Sequence, residues 1–222
     1  DGEIRYHYAA NSGPRWTGRD TSGLRTDLGL EMAFAKDWQV IGMIESKTSF
    51  LNYENLLEFS RISLAGKLGD AKLRVGSFGY LMGDGNIYDS GFKGLRVERG
   101  EPFKYTLAYG ETNDTKDTFV STLQYKTYDY DLEAGLYRYR LADGDRSDNT
   151  LWTLGGKYHF SNFSVGAMML GADRRRGDKN GYVLSLDYGE LKAYRAGTYS
   201  VFAKYYDQPK DTYIAHGMNG QA

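Results

Sequence analysis

The chain has 222 residues, a formal net charge of -1 at pH 7 and no cysteine. A charge this close to zero creates no long-range field that would attract nucleic acid, and the absence of cysteine excludes disulfides and thiolate metal sites. The length fits one all-β domain, and a proline count of only 3 favours uninterrupted strands, because proline breaks a hydrogen-bonded ladder.

Apolar and polar residues alternate along most of the chain. Between Ile4 and Tyr8 the apolar side chains share one face, and Arg5 and His7 lie on the other. The same period returns from Leu24 to Phe34 and from Phe103 to Tyr109. A period of two indicates strands with one apolar and one polar face. Thirteen strands are predicted, at residues 2–10, 23–35, 38–48, 56–68, 71–81, 92–99, 102–112, 118–128, 131–142, 149–160, 163–172, 181–189 and 197–207.

The predicted connections alternate between short and long. Short turns are predicted at residues 35–37, 69–70, 99–101, 128–130 and 161–162. Longer polar segments lie between them, beginning at Asn11, Thr48, Met82, Asn113, Asp143 and Asp173. The connection from Glu190 to Ala196 is longer than this rule allows. A soluble sandwich needs no such alternation, whereas a membrane barrel has short periplasmic turns and long outer loops.

Aromatic residues concentrate near both ends of the predicted strands, as expected for rings that prefer the two interfaces of a bilayer. Near the short turns lie Phe34, Trp38, Phe103, Tyr128, Tyr130, Phe160, Phe163 and Tyr188. Near the long loops lie Tyr80, Phe92, Tyr109, Phe119, Tyr139, Trp152, Tyr182 and Tyr205.

These patterns predict an all-β fold, a transmembrane antiparallel β-barrel formed by residues 1–222. No apolar stretch approaches the roughly 20 residues of a membrane-spanning helix, and the mean hydropathy of -0.60 does not exclude a barrel, since only alternate residues face lipid. Single-chain bacterial barrels have even strand numbers. An odd count and a loop-like end at Met218–Ala222 lead us to expect that these are about 13 strands of a larger barrel, with several strands beyond the C-terminal end.

In the predicted strands, charged residues occupy the positions that alternate with the apolar ones. Arg or Lys at the bilayer midplane costs about 2–4 kcal/mol when it faces lipid, so these side chains are expected to line a water-filled lumen. The alternative is the solvated face of an ordinary sheet. The predicted pore-lining residues are Arg5, Arg25, Arg61, Lys72, Arg74, Arg96, Arg138, Arg140 and Lys157.

The segment between Gly83 and Gly91 is predicted to fold into this lumen as a constriction loop. It carries acidic and amide side chains at Asp84, Asn86 and Asp89 among flexible glycines. Acids opposite basic residues would create a transverse field that favours small hydrophilic solutes; the alternative is a surface loop. Val40–Ile44 and Val165–Leu170 are apolar on both faces, which predicts contact with another subunit or a plug, or a bulge.

Enzyme chemistry is not indicated. The three histidines, His7, His159 and His216, lack metal-ligand spacing, and no motif marks a nucleophile with its base. No metal and no cofactor are therefore expected. Arg174–Arg176 is predicted to be a solvated basic tip, with binding of anionic lipopolysaccharide as the alternative.

Two segments carry a resemblance to a known family. The run Tyr188–Tyr194, followed by Gly197–Asp207, resembles the barrel of OmpM-type porins of diderm Firmicutes, and Ile4–Tyr8 and Gly23–Phe34 are similar. The resemblance implies a sixteen-stranded trimeric porin that admits small hydrophilic solutes. In that family an S-layer-homology domain binds peptidoglycan. That domain is absent from this sequence, so only the barrel function carries over.

The predicted function is a passive diffusion channel in a bacterial outer membrane, in contact with lipid and lipopolysaccharide. The expected assembly is a homotrimer, and nucleic acid is not an expected partner. Three alternatives remain open: a plugged barrel that acts in tethering or adhesion, a barrel-embedded hydrolase, and a soluble β-sandwich binding module.

Overall fold

The computed structural model describes residues 2–9, 21–142, 148–173, 180–192 and 194–215. Arg174–Arg176, His216 and Met218–Ala222 lie outside these ranges. In the described part of the chain no helix is long and apolar enough to cross a membrane. A single 3-10 turn, Lys210–Thr212, follows the last strand.

Thirteen strands form among the described residues, and the fold-class prediction is confirmed. They lie in one antiparallel sheet in the order of the sequence. Their bounds are β1 Gly2–Ala9, β2 Thr21–Ala35, β3 Trp38–Ser49, β4 Asn55–Leu68, β5 Ala71–Met82, β6 Tyr88–Arg99, β7 Phe103–Thr112, β8 Thr115–Lys126, β9 Tyr130–Leu141, β10 Asp148–Phe160, β11 Phe163–Ala172, β12 Asn180–Gly189 and β13 Ser200–Asp207.

The predicted strand positions hold within a few residues, with one correction to the connections. β7 and β8 are joined by only Asn113 and Asp114, so the long loop predicted there is wrong. The hydroxyl of Thr115 lies 2.8 Å from that of Thr112 and 2.5 Å from that of Thr118. These contacts extend the strands closer to the turn than polar composition alone indicates, because the hydroxyls satisfy one another.

The chain divides into two compact units, Asp1–Lys67 with Arg74–Phe78, and Leu68–Leu73 with Gly79–Ala222. In the first unit one face of the sheet is apolar and exposed, with Ile4, Leu30 and Phe59 among its side chains. The opposite face carries Arg5, Arg25 and other charged residues in cross-strand register. We call these the apolar face and the polar face.

The second unit has the same two kinds of face. Its apolar face exposes residues such as Leu132, Leu136 and Leu154. On the opposite, polar face a packed core lies toward the long-loop ends of the strands, and charged residues lie toward the short turns. The fully buried side chains of this core include Tyr88, Phe92, Val120, Tyr137, Leu151 and Leu170.

Aromatic rings at the short-turn end of the second unit form a continuous row on the apolar face. Successive ring centroids are 5.0 Å apart for Tyr130 and Tyr158, 5.6 Å for Phe160 and Phe163, and 4.7 Å for Phe163 and Tyr188. This row agrees with the predicted short-turn belt, since its rings are exposed together on one face.

The predicted belt near the long loops is only partly present. Tyr109, Trp152 and Tyr182 are exposed on the apolar face, whereas Tyr80 and Tyr139 are buried on the polar face. The belt prediction is therefore wrong for these two residues and for Phe92, which is also buried. Their rings belong to the packed core instead.

Candidate functional site

The loop between β5 and β6 folds onto the polar face of the second unit. Lys157 Nζ, on β10, lies 2.8 Å from Asp84 Oδ2 in this loop. The Asn86 amide donates to Met168 Sδ, on β11, at 3.6 Å. Ile87 is fully buried, and Asn86 is only 4% exposed. The loop is thus held against β10 and β11 rather than projecting from the strand ends.

The conformation of this loop depends on its glycines. Gly83, Asp84 and Gly85 are consecutive residues with positive φ, at 58°, 54° and 79°. Glycine adopts this region without a steric cost, and aspartate tolerates it better than most side chains. The turn closes through hydrogen bonds from the Asn86 N–H to the Gly83 carbonyl and from the Ile87 N–H to the Met82 carbonyl. The sequence Gly-Asp-Gly therefore determines where the chain reverses.

A second segment, residues 208–215 after β13, lies against the same loop. The N–H groups of Ile214 and Ala215 donate to the Ile87 carbonyl at 3.0 and 3.1 Å. The Gln208 side-chain amide donates to the Asn86 carbonyl at 3.2 Å. We call residues 208–215 the clamp segment. Sequence reasoning missed it, because its contacts are made mostly by backbone groups that no residue pattern marks.

The stretch Val165–Leu170 was predicted to contact a plug or another subunit because it is apolar on both faces. Val165 and Met169 are exposed on the apolar face, and Leu170 is buried on the polar face. Met168 receives the Asn86 amide from the folded loop. The contact with an inserted loop accounts for the apolar residues on the polar face.

The predicted pore-lining residues of the first unit, and Arg96 in the second, lie on polar faces. Arg25 bonds to Asp27 at 3.0 Å, and Arg74 Nε donates to Ser63 Oγ at 3.1 Å. Arg96 lies 3.5 Å from Glu98 and 5.3 Å from the ring centroid of Tyr80. The other predicted residues of the first unit are Arg5, beside Glu3, and Arg61, the cross-strand partner of Met43. Lys72, in the second unit, is exposed and has the same parity on β5 as Arg74.

Arg138 and Arg140 lie on the other face, which corrects the sequence interpretation. On β9 they alternate with the buried Tyr137 and Tyr139, and they share the exposed parity of Leu136. Arg138 bonds to Asp148 at 2.5 Å, and Arg140 pairs with Asp117. The predicted alternation is present on β9, but its two faces are reversed, because Tyr137 and Tyr139 pack in the core on the polar face instead of facing lipid.

Two of the three residues predicted for the constriction loop lie against the polar face. Asp84 and Asn86 contact the polar face, at Lys157 and Met168. Asp89 does not belong to the loop. It is the second residue of β6 and is exposed, so it follows the folded turn rather than forming part of it.

A serine, a histidine and an aspartate meet on the polar face near the short turns of β9, β10 and β11. His159 Nδ1 lies 2.7 Å from Ser164 Oγ, and His159 Nε2 lies 3.3 Å from Asp131 Oδ2. Lys126 Nζ also lies 3.1 Å from that carboxylate oxygen. No sequence motif marks this group, since the three residues come together only through strand pairing. The arrangement is a hydrogen-bond relay, with the lysine competing for the carboxylate.

One ion pair at the short-turn end has a clear effect on titration. Asp70 lies in the turn between β4 and β5, and its Oδ2 accepts a hydrogen bond from Arg99 Nε, at the end of β6, at 2.8 Å. This hydrogen bond lowers the pKa of the Asp70 carboxyl below its ordinary value. Among the described residues no group of three or more His, Cys, Asp or Glu side chains is placed to hold a metal ion.

Comparison with solved structures places this fold among the bacterial porins. OmpF of Salmonella typhi, solved in complex with daunomycin, matches with a TM-score of 0.56 at 12% identity, over 85% of this chain and 72% of that one. The anion-selective porin of Comamonas acidovorans matches with a TM-score of 0.56 at 13% identity, over 85% and 69%. No known family and no curated protein matches the sequence. At these identities the likeness shows the fold, which is that of the outer-membrane porins.

Proposed function

We propose that this protein is a passive diffusion channel for small hydrophilic solutes and ions in a bacterial outer membrane. The observation that carries the proposal is the loop folded onto the polar face, with Asp84 paired to Lys157. A charged loop held against the charged wall of a channel narrows the channel without excluding water from it. The porin fold of the structural neighbours supports the same function.

The proposed pore-lining residues are those predicted positions that lie on polar faces. Charged side chains there would be hydrated, while the apolar faces meet lipid. Asp84 and Asn86 would form the constriction with Lys157. The pore-lining set is Arg5, Arg25, Arg61, Lys72, Arg74, Arg96 and Lys157.

The membrane context of the proposal follows from the same faces. We infer contact of the apolar faces with outer-membrane lipid and lipopolysaccharide, and assembly as a homotrimer. A kinship with OmpM-type porins is supported by the resemblance of the strand patterns, and the gene's full coding sequence would test it by the presence or absence of an S-layer-homology domain. Any link to peptidoglycan would depend on that domain.

Planar-bilayer recording tests the channel directly. Purified protein should give stable conductance steps that are ohmic at low voltage and grow with salt concentration. A barrel that acts only in tethering or adhesion would give no steps. That second function is favoured by one observation, the clamp segment, which covers part of the polar face together with the loop. Persistent silence in protein that inserts correctly would support it and refute the channel.

Transport through such a channel needs no catalytic step. The relay formed by Asp131, His159 and Ser164 makes this assignment testable, because a serine activated by a histidine reacts with fluorophosphonates. We expect no labelling of Ser164 and no turnover of ester substrates. Labelling that disappears in Ser164→Ala would instead support the hydrolase alternative.

A further inference from the structure

Charged residues on the polar face of the first unit are sorted by sign into two rows that run across the strands. Arg5 on β1, Arg25 on β2 and Lys47 on β3 are successive cross-strand partners. We call these three the basic row. Two residues away along the strands lies the acidic row, which consists of Glu3, Asp27, Glu45 and Glu58. Two residues of antiparallel strand separate the backbones of the rows by about 6.8 Å.

The ion pairs in this region join one row to the other. Arg25 Nη2 lies 2.6 Å from Glu45 Oε2, and Arg25 Nε lies 3.0 Å from Asp27 Oδ1. Lys47 pairs with Glu45 and reaches to 4.0 Å from Glu58. Glu45 is the buried centre of the network, since its side chain is only 5% exposed. Within each row, neighbouring strands present like charges to each other.

This sorting is not what the stability of the sheet requires. Like charges directly opposite each other on neighbouring strands are destabilising, and opposite charges are stabilising. The same residues, interleaved so that signs alternate along each row, would keep the pairs along every strand and add favourable pairs across the strands. An arrangement that forgoes this gain indicates a role in function rather than in folding.

Two parallel rows of opposite sign create a field directed along the strands. Their outer members remain accessible, because the side chains of Arg5 and Lys47 are 39% and 50% exposed. A solute with one charge is attracted by one row and repelled by the other. A solute that carries both an ammonium and a carboxylate group can place each of them against the row of opposite sign.

We propose that the basic and acidic rows make the channel selective for zwitterionic solutes, such as amino acids and short peptides, over uncharged solutes of equal size. The proposal rests on the proposed channel function, since selectivity requires passage. The residues that determine specificity are Arg5, Arg25 and Lys47 on one side and Glu3, Asp27 and Glu45 on the other. Zwitterions would be oriented and concentrated along this wall.

Swelling of proteoliposomes measures the preference. Two osmotically active solutes of similar mass are compared, the zwitterion L-threonine and the uncharged erythritol. We expect the wild-type protein to admit threonine at least about threefold faster, a modest effect for a focused field. Equal rates for the two solutes would refute the proposal and leave the channel function intact. Absence of swelling with either solute, together with absence of conductance, would overturn both.

A charge swap on β2 isolates the sorting from the composition. The double variant Arg25→Asp with Asp27→Arg keeps the net charge and the pair on that strand, but it interleaves the signs in both rows. We expect the ratio of the threonine rate to the erythritol rate to fall to about one, and the thermal stability should be equal or higher. A retained threonine preference would refute the proposal.

The matched control swaps an ion pair on the apolar face. Arg138→Asp with Asp148→Arg exchanges the charges of an exposed pair that does not lie on a polar face. It should leave both solute rates unchanged. If the β2 swap fails to insert, Glu3→Gln with Arg5→Gln removes an exposed pair of the two rows and should lower the preference partially. An unchanged preference in that variant would overturn the proposal as well.

Discussion

Removal of the loop carboxylate is the sharpest test of the constriction. In Asp84→Asn, Lys157 loses its ion-pair partner at 2.8 Å, and the polar face gains one net positive charge. The two side chains are 49% and 29% exposed, so solvent screening reduces the interaction to about 1 kcal/mol or less. Applied to the barrier for ion passage, about 1 kcal/mol corresponds to roughly a fivefold change in the cation-to-anion permeability ratio.

The assay is the reversal potential of single channels in a salt gradient. Asp84→Asn should shift it toward anion selectivity, and Lys157→Gln should shift it in the opposite direction. The reversal potential of the double variant should return close to that of the wild type. Each single change acts through the net charge that it adds to the polar face, and the two changes together cancel. Asp89→Asn is the control, since Asp89 is an exposed acid on β6 outside the loop.

Two results would refute this reasoning. If Asp84→Asn leaves the reversal potential unchanged, the loop does not lie in the ion path. If Asp84→Asn and Lys157→Gln shift selectivity in the same direction, the changes act through altered structure rather than charge. An effect of Asp89→Asn as large as that of Asp84→Asn would also show that the loop position is not what matters.

Three further predictions concern the supports of this structure. Gln208→Ala removes the side-chain hydrogen bond from the clamp segment to the loop, worth about 1 kcal/mol, and should raise open-channel current noise; unchanged noise would contradict a supporting role. Gly171→Val places a side chain against the Trp152 indole and should lower the free energy of unfolding by about 1–3 kcal/mol in urea titration, whereas an unchanged midpoint would contradict this packing. The pKa of Asp70 is lowered in the folded state, so the ionised carboxylate stabilises the fold at higher pH. This contribution is lost as the pH falls through the lowered pKa. Between about pH 5 and pH 2 the wild type should therefore lose more stability than Asp70→Asn, with Arg99→Gln behaving like the variant; equal losses would contradict the assignment.

The strands could be predicted from the sequence because their signal is local. A period of two survives wherever one face stays apolar, as from Phe103 to Tyr109. The same period does not show which side of a strand faces lipid where both sides pack against other residues. On β9 the alternation of Tyr137 and Arg138 was recognised, but which residue faces which side depends on a loop about 50 residues earlier in the chain. No pattern within the strand contains that information.

The candidate site was predictable to the extent that composition marks it. Glycines beside Asp84 signal a turn that can fold back, and the acid itself signals a basic partner. The identity of that partner as Lys157 depends on the register of β10, which local sequence does not specify. The clamp segment was not predictable, because its main contacts are backbone hydrogen bonds to Ile87.

The contacts at Ile87 bear on the choice between an open channel and a plugged barrel. Its carbonyl accepts two N–H groups from the clamp segment, while its side chain is fully buried. The loop is thus fixed from both sides at its apolar end. At its other end Asp84 forms an ion pair with Lys157 in partly exposed surroundings. A plug would require burial along the whole loop, whereas a constriction requires one fixed end and one hydrated, charged end. The asymmetry between Ile87 and Asp84 therefore favours the channel.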